Sequence, residues 1–424
     1  MQIRFVAQAL AVTLMTTSLA AQSAPKNPIQ PLVVFASDED NKSEDFFIVL
    51  DLTPGLKGDR VVTTIPVGNK GSMPHHFEYE TPPPGGLLFA NSHHTEDTYL
   101  LDISDPRSPK IAKRLKPPAP YRFTHDFKRL ANGNLLVGFL RSEGPSPEKG
   151  DDTLPGGHGG IAEYTGVGQL LRTASAAVDG LPHPVRPYAF AVLPDLDRFV
   201  TTSAAMMEKS SADVVQVWRY SDFKLLHTLQ LPPGKKDDGT SWPEAASAPF
   251  APRVMPDGSV LLSAYGCGFY RITDVASASP KVTNVYSVQV PKAKPGKSGA
   301  CSVPVLAGRH WLLPVGRENA LVTLDVSSPE KPKETSRLTF PSDFAPHWLA
   351  KDAGSNRLVL GAELGGEQGM YVLLLDPASG AVTFDADIGS AERPGYLDFD
   401  RDVWPHGNSG AAWAHAALFL RPSQ

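Results

Sequence analysis

The chain has 424 residues, 41% of them hydrophobic, and a formal net charge of −5. That charge is small for the length and no basic block tracks a phosphate backbone, which excludes the usual nucleic-acid partner. Its 36 glycines and 40 prolines are spread along the chain and suit tight turns between short strands better than long helices, so an all-β fold with a substantial core is expected.

In chain order, Met1-Gln2-Ile3-Arg4 leads into an apolar run from Phe5 to Leu19 and then small residues at Ala20, Ala21, Ser23 and Ala24. This is the charged start, apolar centre and small-residue exit of a secretory signal. The run is shorter than the roughly 20 residues that span a bilayer, and no later segment qualifies, so no membrane span is expected. The expectation is a signal peptide over 1–24, one domain over 25–424, and a periplasmic or secreted location.

From residue 46 one phrase repeats seven times: an apolar strand ending near a polar residue, a turn, then a second strand. Examples are FFIVLDLTPGLKGDRVVTTIPV from Phe46, TYLLDISDPRSPKIAKRL from Thr98 and ALVTLDVSSPEKPKETSRLTF from Ala320. The copies start roughly 50 to 60 residues apart, as the blades of a propeller do. Each is preceded by another strand pair around a turn such as Asn132-Gly133 or Pro256-Asp257-Gly258. The aspartates ending the third strands, Asp51, Asp102, Asp325 and Asp376, recur in register and read as turn-satisfying groups. LVVFAS from Leu32 lacks a strand before it, and the chain closes on WPHGNSGAAWAHAALFL. A seven-bladed β-propeller is therefore expected, its last blade completed by both chain ends, which protects the sheet edges. Insertions at 142–160, 206–212 and 232–248 interrupt units without starting domains. Cys267 and Cys301 are the two cysteines, either paired, as an exported compartment permits, or buried as thiols.

Histidines recur where the innermost strands begin: His75 and His76, His125, His347, and His406 near the C-terminus. Imidazoles brought to one level of a ring can bind a transition metal. His93 and His94 follow the next strand and can overhang the same mouth. Strand alternation lets only one of His75 and His76 face the channel. His158, His183, His227, His310 and His415 lack the positional coincidence and read as packing or surface residues. Glu78, Glu80, Asp126 and Glu363 are the carboxylates that could orient an imidazole or carry a proton, with Asp126 expected on the strand face opposite His125. Each of these polar groups also has a plain reading, since a wet channel needs polar side chains.

In order and spacing the mature chain resembles the selenium-binding protein family. The resemblance lies in the His75-His76 pair, in TYLLDISDPRSPKIAKRL, in FTHDFKRLANGNLLVGFL around His125, and in VVQVWRYSDFKLLHTLQL. It implies a seven-bladed propeller with histidine-held copper, oxidising a small thiol with oxygen to an aldehyde, hydrogen sulfide and hydrogen peroxide, as a methanethiol oxidase does. Lys128 replaces a further histidine of the family's segment, FEYETPPP after His76 lacks its cysteine pair, and Asp400 falls where a histidine is expected. His347 and His406 are additional. The leading expectation is an exported copper-dependent oxidoreductase acting on a small-molecule thiol. The alternatives are a metal-dependent, lactonase-like hydrolase using another divalent ion and a non-catalytic ligand- or partner-binding propeller.

Overall fold

The computed structural model describes residues 29–143, 157–206, 210–290, 300–341, 343–363 and 368–421. The signal peptide expected over 1–24 lies outside these residues, as do parts of the first two insertions. Seven antiparallel sheets of four or five strands form the blades of a propeller. The innermost strands of the first four blades are Pro74–Phe77, Tyr121–Arg129, Pro187–Leu193 and Pro249–Val254. Those of the last three are Val305–Ala307, Pro346–Lys351 and Gly410–Phe419.

Closure follows the sequence expectation. Gly410–Phe419 is the inner strand of the seventh blade and pairs antiparallel with Pro31–Asp38, in register from Leu32 opposite Phe419 to Asp38 opposite Ala412. Sheet hydrogen bonds thus join the two ends of the described chain and close the ring.

The strand sequences explain the layering. Inner and middle strands are buried almost throughout, whereas outer strands such as Lys110–Leu115 and Lys333–Thr339 consist of exposed and part-buried residues. The cores lie between adjacent sheets, where Tyr99, Trp218, Tyr270 and Trp311 are fully buried. Burying such a side chain stabilises the fold by about 1.5–3 kcal/mol. The recurring aspartates are architectural, as expected: each accepts a backbone N–H two residues on, at 2.9 Å from Thr53 for Asp51 and 3.0 Å from Ser104 for Asp102. Asp325 and Asp376 do the same for Ser327 and Ala378. Cys267 and Cys301 are joined in a disulfide, which ties the fourth blade to the segment entering the fifth.

One irregularity repeats around the ring. On the first blade Pro74 pairs with Ser92 and Phe77 with Ala90, so His75 and His76 together face the single residue Asn91. On the second, Thr124 pairs with Phe139 and Phe127 with Val137, leaving His125 and Asp126 opposite Gly138. The third and fourth blades bulge at Tyr188-Ala189 and Ala251-Pro252, the sixth at His347 and the seventh at His415. A bulge leaves residues unpaired and re-aims their side chains. Six blades thus carry this defect on the inner strand, and four of them put histidine on it.

Candidate metal centre

Six imidazoles gather in the channel, five of them on these bulges and the sixth, His93, just past the strand Leu88–Ser92. His75 stacks on His76 with ring centroids 3.8 Å apart and lies 3.7 Å from His93, 5.0 Å from His125 and 4.8 Å from His415. His76 is 4.5 Å from His125, and His347 joins through His415 at 4.9 Å. All six are buried. His75 and His76 both take part, contrary to the alternation expected of a regular strand, because the bulge suspends alternation at that point.

The backbone supports this arrangement. Asn91, opposite the first bulge, accepts the freed N–H of His76 through its side-chain oxygen at 2.8 Å. Its amide donates to the carbonyl of Thr124 on the second blade, so one side chain clamps two neighbouring bulges. At Gly138, opposite the second bulge, a Cβ would sit 2.7 Å from the carbonyl of Pro187, so the absence of a side chain lets the third blade's inner strand close in. Met73 and Phe123 precede the histidine segments with φ of 56° and 64°, left-handed conformations that non-glycine residues adopt at a cost.

Two imidazoles are held from behind. His125 Nδ1 lies 3.0 Å from the carbonyl of Tyr188; a carbonyl only accepts, so Nδ1 carries the proton and Nε2 presents its lone pair to the cluster. His347 Nδ1 is 2.6 Å from Ser302 Oγ, which likewise leaves Nε2 facing inward. Such a rear partner is the usual device for orienting a metal-bound histidine. Nε2 of both residues, and both ring nitrogens of His75, His76, His93 and His415, are buried without a hydrogen-bond partner among the described residues. His75, His76 and His415 each offer one ring nitrogen, and these three atoms lie within 4.8 Å of one another. Buried polar atoms ordinarily find partners, so the donors fit a metal ion that takes nitrogen ligands.

Burial is the main cause that lowers the pKa of each of these histidines. Neighbouring imidazoles add to it at His75, His76, His93 and His415, which fall well below the usual value, and His125 is lowered to about 3. His347 is lowered by burial as well, opposed by the charge of Glu363. At neutral pH the cluster is therefore uncharged and able to ligate.

The other expected residues are placed as follows. His93 joins the cluster and stacks on Phe123 at 4.1 Å, whereas His94 is exposed, with Nδ1 3.0 Å from the carbonyl of Gly71. His406 stays outside the cluster: it packs on Phe46 at 4.5 Å, and its Nδ1 lies 2.7 Å from Thr64 Oγ1. His415 supplies the seventh blade's imidazole instead. Sequence reasoning set it aside because it does not stand at the start of an inner strand as the other segments do; a histidine within the alanine-rich strand GAAWAHAALF was the available signal.

Among the carboxylates, Glu78 is buried in a two-pronged ion pair with Arg129, 2.6 Å from both Nε and Nη2, and accepts the N–H of Phe89. Burial raises its pKa and Arg129 opposes the rise. Asp126 shares the bulge with His125, is buried, and has its carboxyl pushed up by burial to about 7; it lines a cavity below the cluster rather than the outer strand face. Glu363 is half-buried and pairs through its backbone with Ala345.

No protein-family model matches the chain, and no curated protein matches it. Solved structures do. A hypothetical selenium-binding protein from Sulfolobus tokodaii superposes with a TM-score of 0.69 at 16% identity, over 93% of this chain and 94% of that one. The periplasmic gluconolactonase of Pseudomonas aeruginosa gives 0.58 at 17% identity, over 87% and 98%. A putative 6-phosphogluconolactonase from Bacteroides fragilis gives 0.58 at 9%, over 94% and 100%. The chain is a seven-bladed propeller with a distant link to the selenium-binding fold. At these identities the likeness establishes architecture and leaves the chemistry to the site.

Proposed function

We propose that this protein is an exported metal-dependent oxidoreductase that holds copper at the six-histidine cluster and acts on a small thiol with oxygen. The observation that carries the reading is the set of buried imidazole nitrogens without hydrogen-bond partners, three of them within 4.8 Å. An all-nitrogen donor set suits copper, zinc, nickel or iron and does not suit calcium or magnesium, which take oxygen. The disulfide fits an oxidising compartment, and the sequence resemblance favours redox chemistry over hydrolysis. The balanced reaction takes a thiol R-CH2-SH, one oxygen and one water to the aldehyde, hydrogen sulfide and hydrogen peroxide.

Copper, when bound, would supply the electron-transfer capacity that no side chain here provides. The chain's own part is positioning. The carbonyl of Tyr188 and the hydroxyl of Ser302 hold two imidazoles in place, burial keeps all six neutral, and Phe123, Tyr188 and Trp348 pack against the cluster at 4.1, 3.8 and 4.8 Å from their nearest imidazoles. That apolar wall excludes water and strengthens electrostatic interactions inside.

The test is elemental analysis of purified protein, followed by oxygen uptake with methanethiol. Stoichiometric copper with thiol-dependent oxygen consumption is the expected result. Stoichiometric zinc with lactone or ester cleavage would replace this reading with the hydrolase. Protein that neither carries nor takes up a transition metal, with an unchanged melting midpoint, would replace it with a binding module.

A further inference from the structure

Beyond the cluster the inner strands run on to the opposite end of the channel, where a cavity of about 500 Å³ opens. Its lining includes Tyr79, Asp126, Arg253, Trp348 and Lys351. Small residues make the room: Ala191, Ala350 and Ala417 stand where bulkier neighbours would fill it. A stacked pair separates this space from the metal centre. The ring of Trp348 lies 4.8 Å from that of His76 and is stacked with that of Tyr79 at 5.4 Å and 10°.

The Tyr79 side chain hydrogen-bonds the Asp126 carboxyl, yet the fold leaves part of the polar capacity of this lining unused. Arg253 donates to the carbonyls of Pro252 at 3.0 Å and Pro304 at 3.3 Å and sits 5.4 Å from the Tyr79 ring. That uses two of five guanidinium donors, and among the described residues no carboxylate forms an ion pair with it. Lys351 Nζ likewise bonds only carbonyls, those of Asp352 and Ser355. Lys128, which also lines the cavity, is paired with Glu80, and Glu78 with Arg129, which leaves Arg253 and Lys351 as the lining cations without an ion-pair partner among the described residues. Asp126 is 2% exposed, and its Oδ1 is buried with no hydrogen-bond partner. A carboxyl oxygen left bare at such a depth points to a ligand.

We propose that this lower cavity is a second binding site, for a small carboxylic acid that carries a hydroxyl donor beside an apolar body. The carboxylate pairs with Arg253, whose planar fork suits it. The hydroxyl donates to Asp126 Oδ1, and the body lies against Trp348 and Tyr79. The volume is that of an ordinary small-molecule site.

The probes are mandelate, which has all three features, phenylacetate, which lacks the hydroxyl, and benzyl alcohol, which lacks the carboxylate. Calorimetric titration of the full chain is expected to show saturable binding of mandelate, about tenfold weaker binding of phenylacetate and no saturation with benzyl alcohol. Arg253→Met is expected to weaken mandelate by about tenfold or more. Should that variant misfold, Ala353→Trp decides: Ala353 is exposed at the cavity rim, and a bulky residue there is expected to abolish binding without touching the core. Mandelate binding is also expected to survive removal of bound metal by a chelator, which keeps this test independent of the copper reading. No saturable binding by mandelate, binding indifferent to Ala353→Trp or to a folded Arg253→Met, or binding lost with the metal would each overturn the site.

Discussion

His415 and His406 lie nine residues apart and have opposite fates. His415 sits on the seventh blade's bulge with both ring nitrogens bare, whereas His406 is stacked on Phe46 and bonded to Thr64. His415→Ala is therefore expected to strip most of the metal from purified protein, while His406→Ala retains it; elemental analysis that finds equal losses would contradict the assignment. Glu78 calls for a different experiment, because its carboxylate is spent on Arg129. Removing one partner of a buried ion pair costs about 3–5 kcal/mol, so Glu78→Gln is expected to lower the chemical denaturation midpoint strongly while metal content stays at the wild-type level. A variant as stable as the parent would mean that the pair contributes nothing to the fold.

At the level of elements, the bulged inner strand is what crowds the histidines into the channel. Regular alternation would send His75 and His76 to opposite faces of their sheet; two residues set against Asn91 alone keep both in the channel. Glycine at 138, with no room for a Cβ beneath Pro187, lets the third blade's inner strand close on the second, where the carbonyl of Tyr188 meets His125. The fifth blade lacks this bulge and enters through Cys301 and Ser302, the latter placing its hydroxyl on His347. The disulfide anchors that entry across a sequence separation of 34. Closing a loop of that size removes about 3–4 kcal/mol of denatured-state freedom, so the double variant Cys267→Ser with Cys301→Ser is expected to lose stability of that order in equilibrium denaturation. A loss confined to a few tenths of a kcal/mol would show that the sheet contacts alone hold the entry segment.

At the scale of the molecule, ring closure brings six neutral imidazoles into one buried cluster, and the pH dependence of stability follows. Each has its folded pKa depressed, first by burial, while in the unfolded chain it titrates near 6.5. Between those values the unfolded state binds more protons, so stability rises with pH there and is lost as pH falls. Metal-free protein is thus expected to lose stability progressively from about pH 6.5 towards pH 3, with Asp126, raised to about 7, opposing the trend between about pH 4 and 7. Denaturation midpoints measured across this range check the prediction; a flat profile between pH 6.5 and 5 would mean that the imidazoles are solvated. No helix among the described residues is long and apolar enough to cross a membrane.

The sequence by itself determined the periodic architecture: the strand pairs, their turn residues, the aspartates at the third-strand ends and the shared last blade are all local patterns with a repeat, and local patterns are legible without coordinates. It also pointed to His75, His76, His125 and His347 through their place at the start of a unit. Only the tertiary structure decided that His415 rather than His406 completes the ring, that both members of the His-His pair face inward, and that Asp126 looks into a second cavity. Those outcomes depend on one-residue shifts in strand register. A bulge is set by how neighbouring strands pair and how closely blades pack, which are contacts between residues far apart in the chain, and no spacing along that chain encodes them.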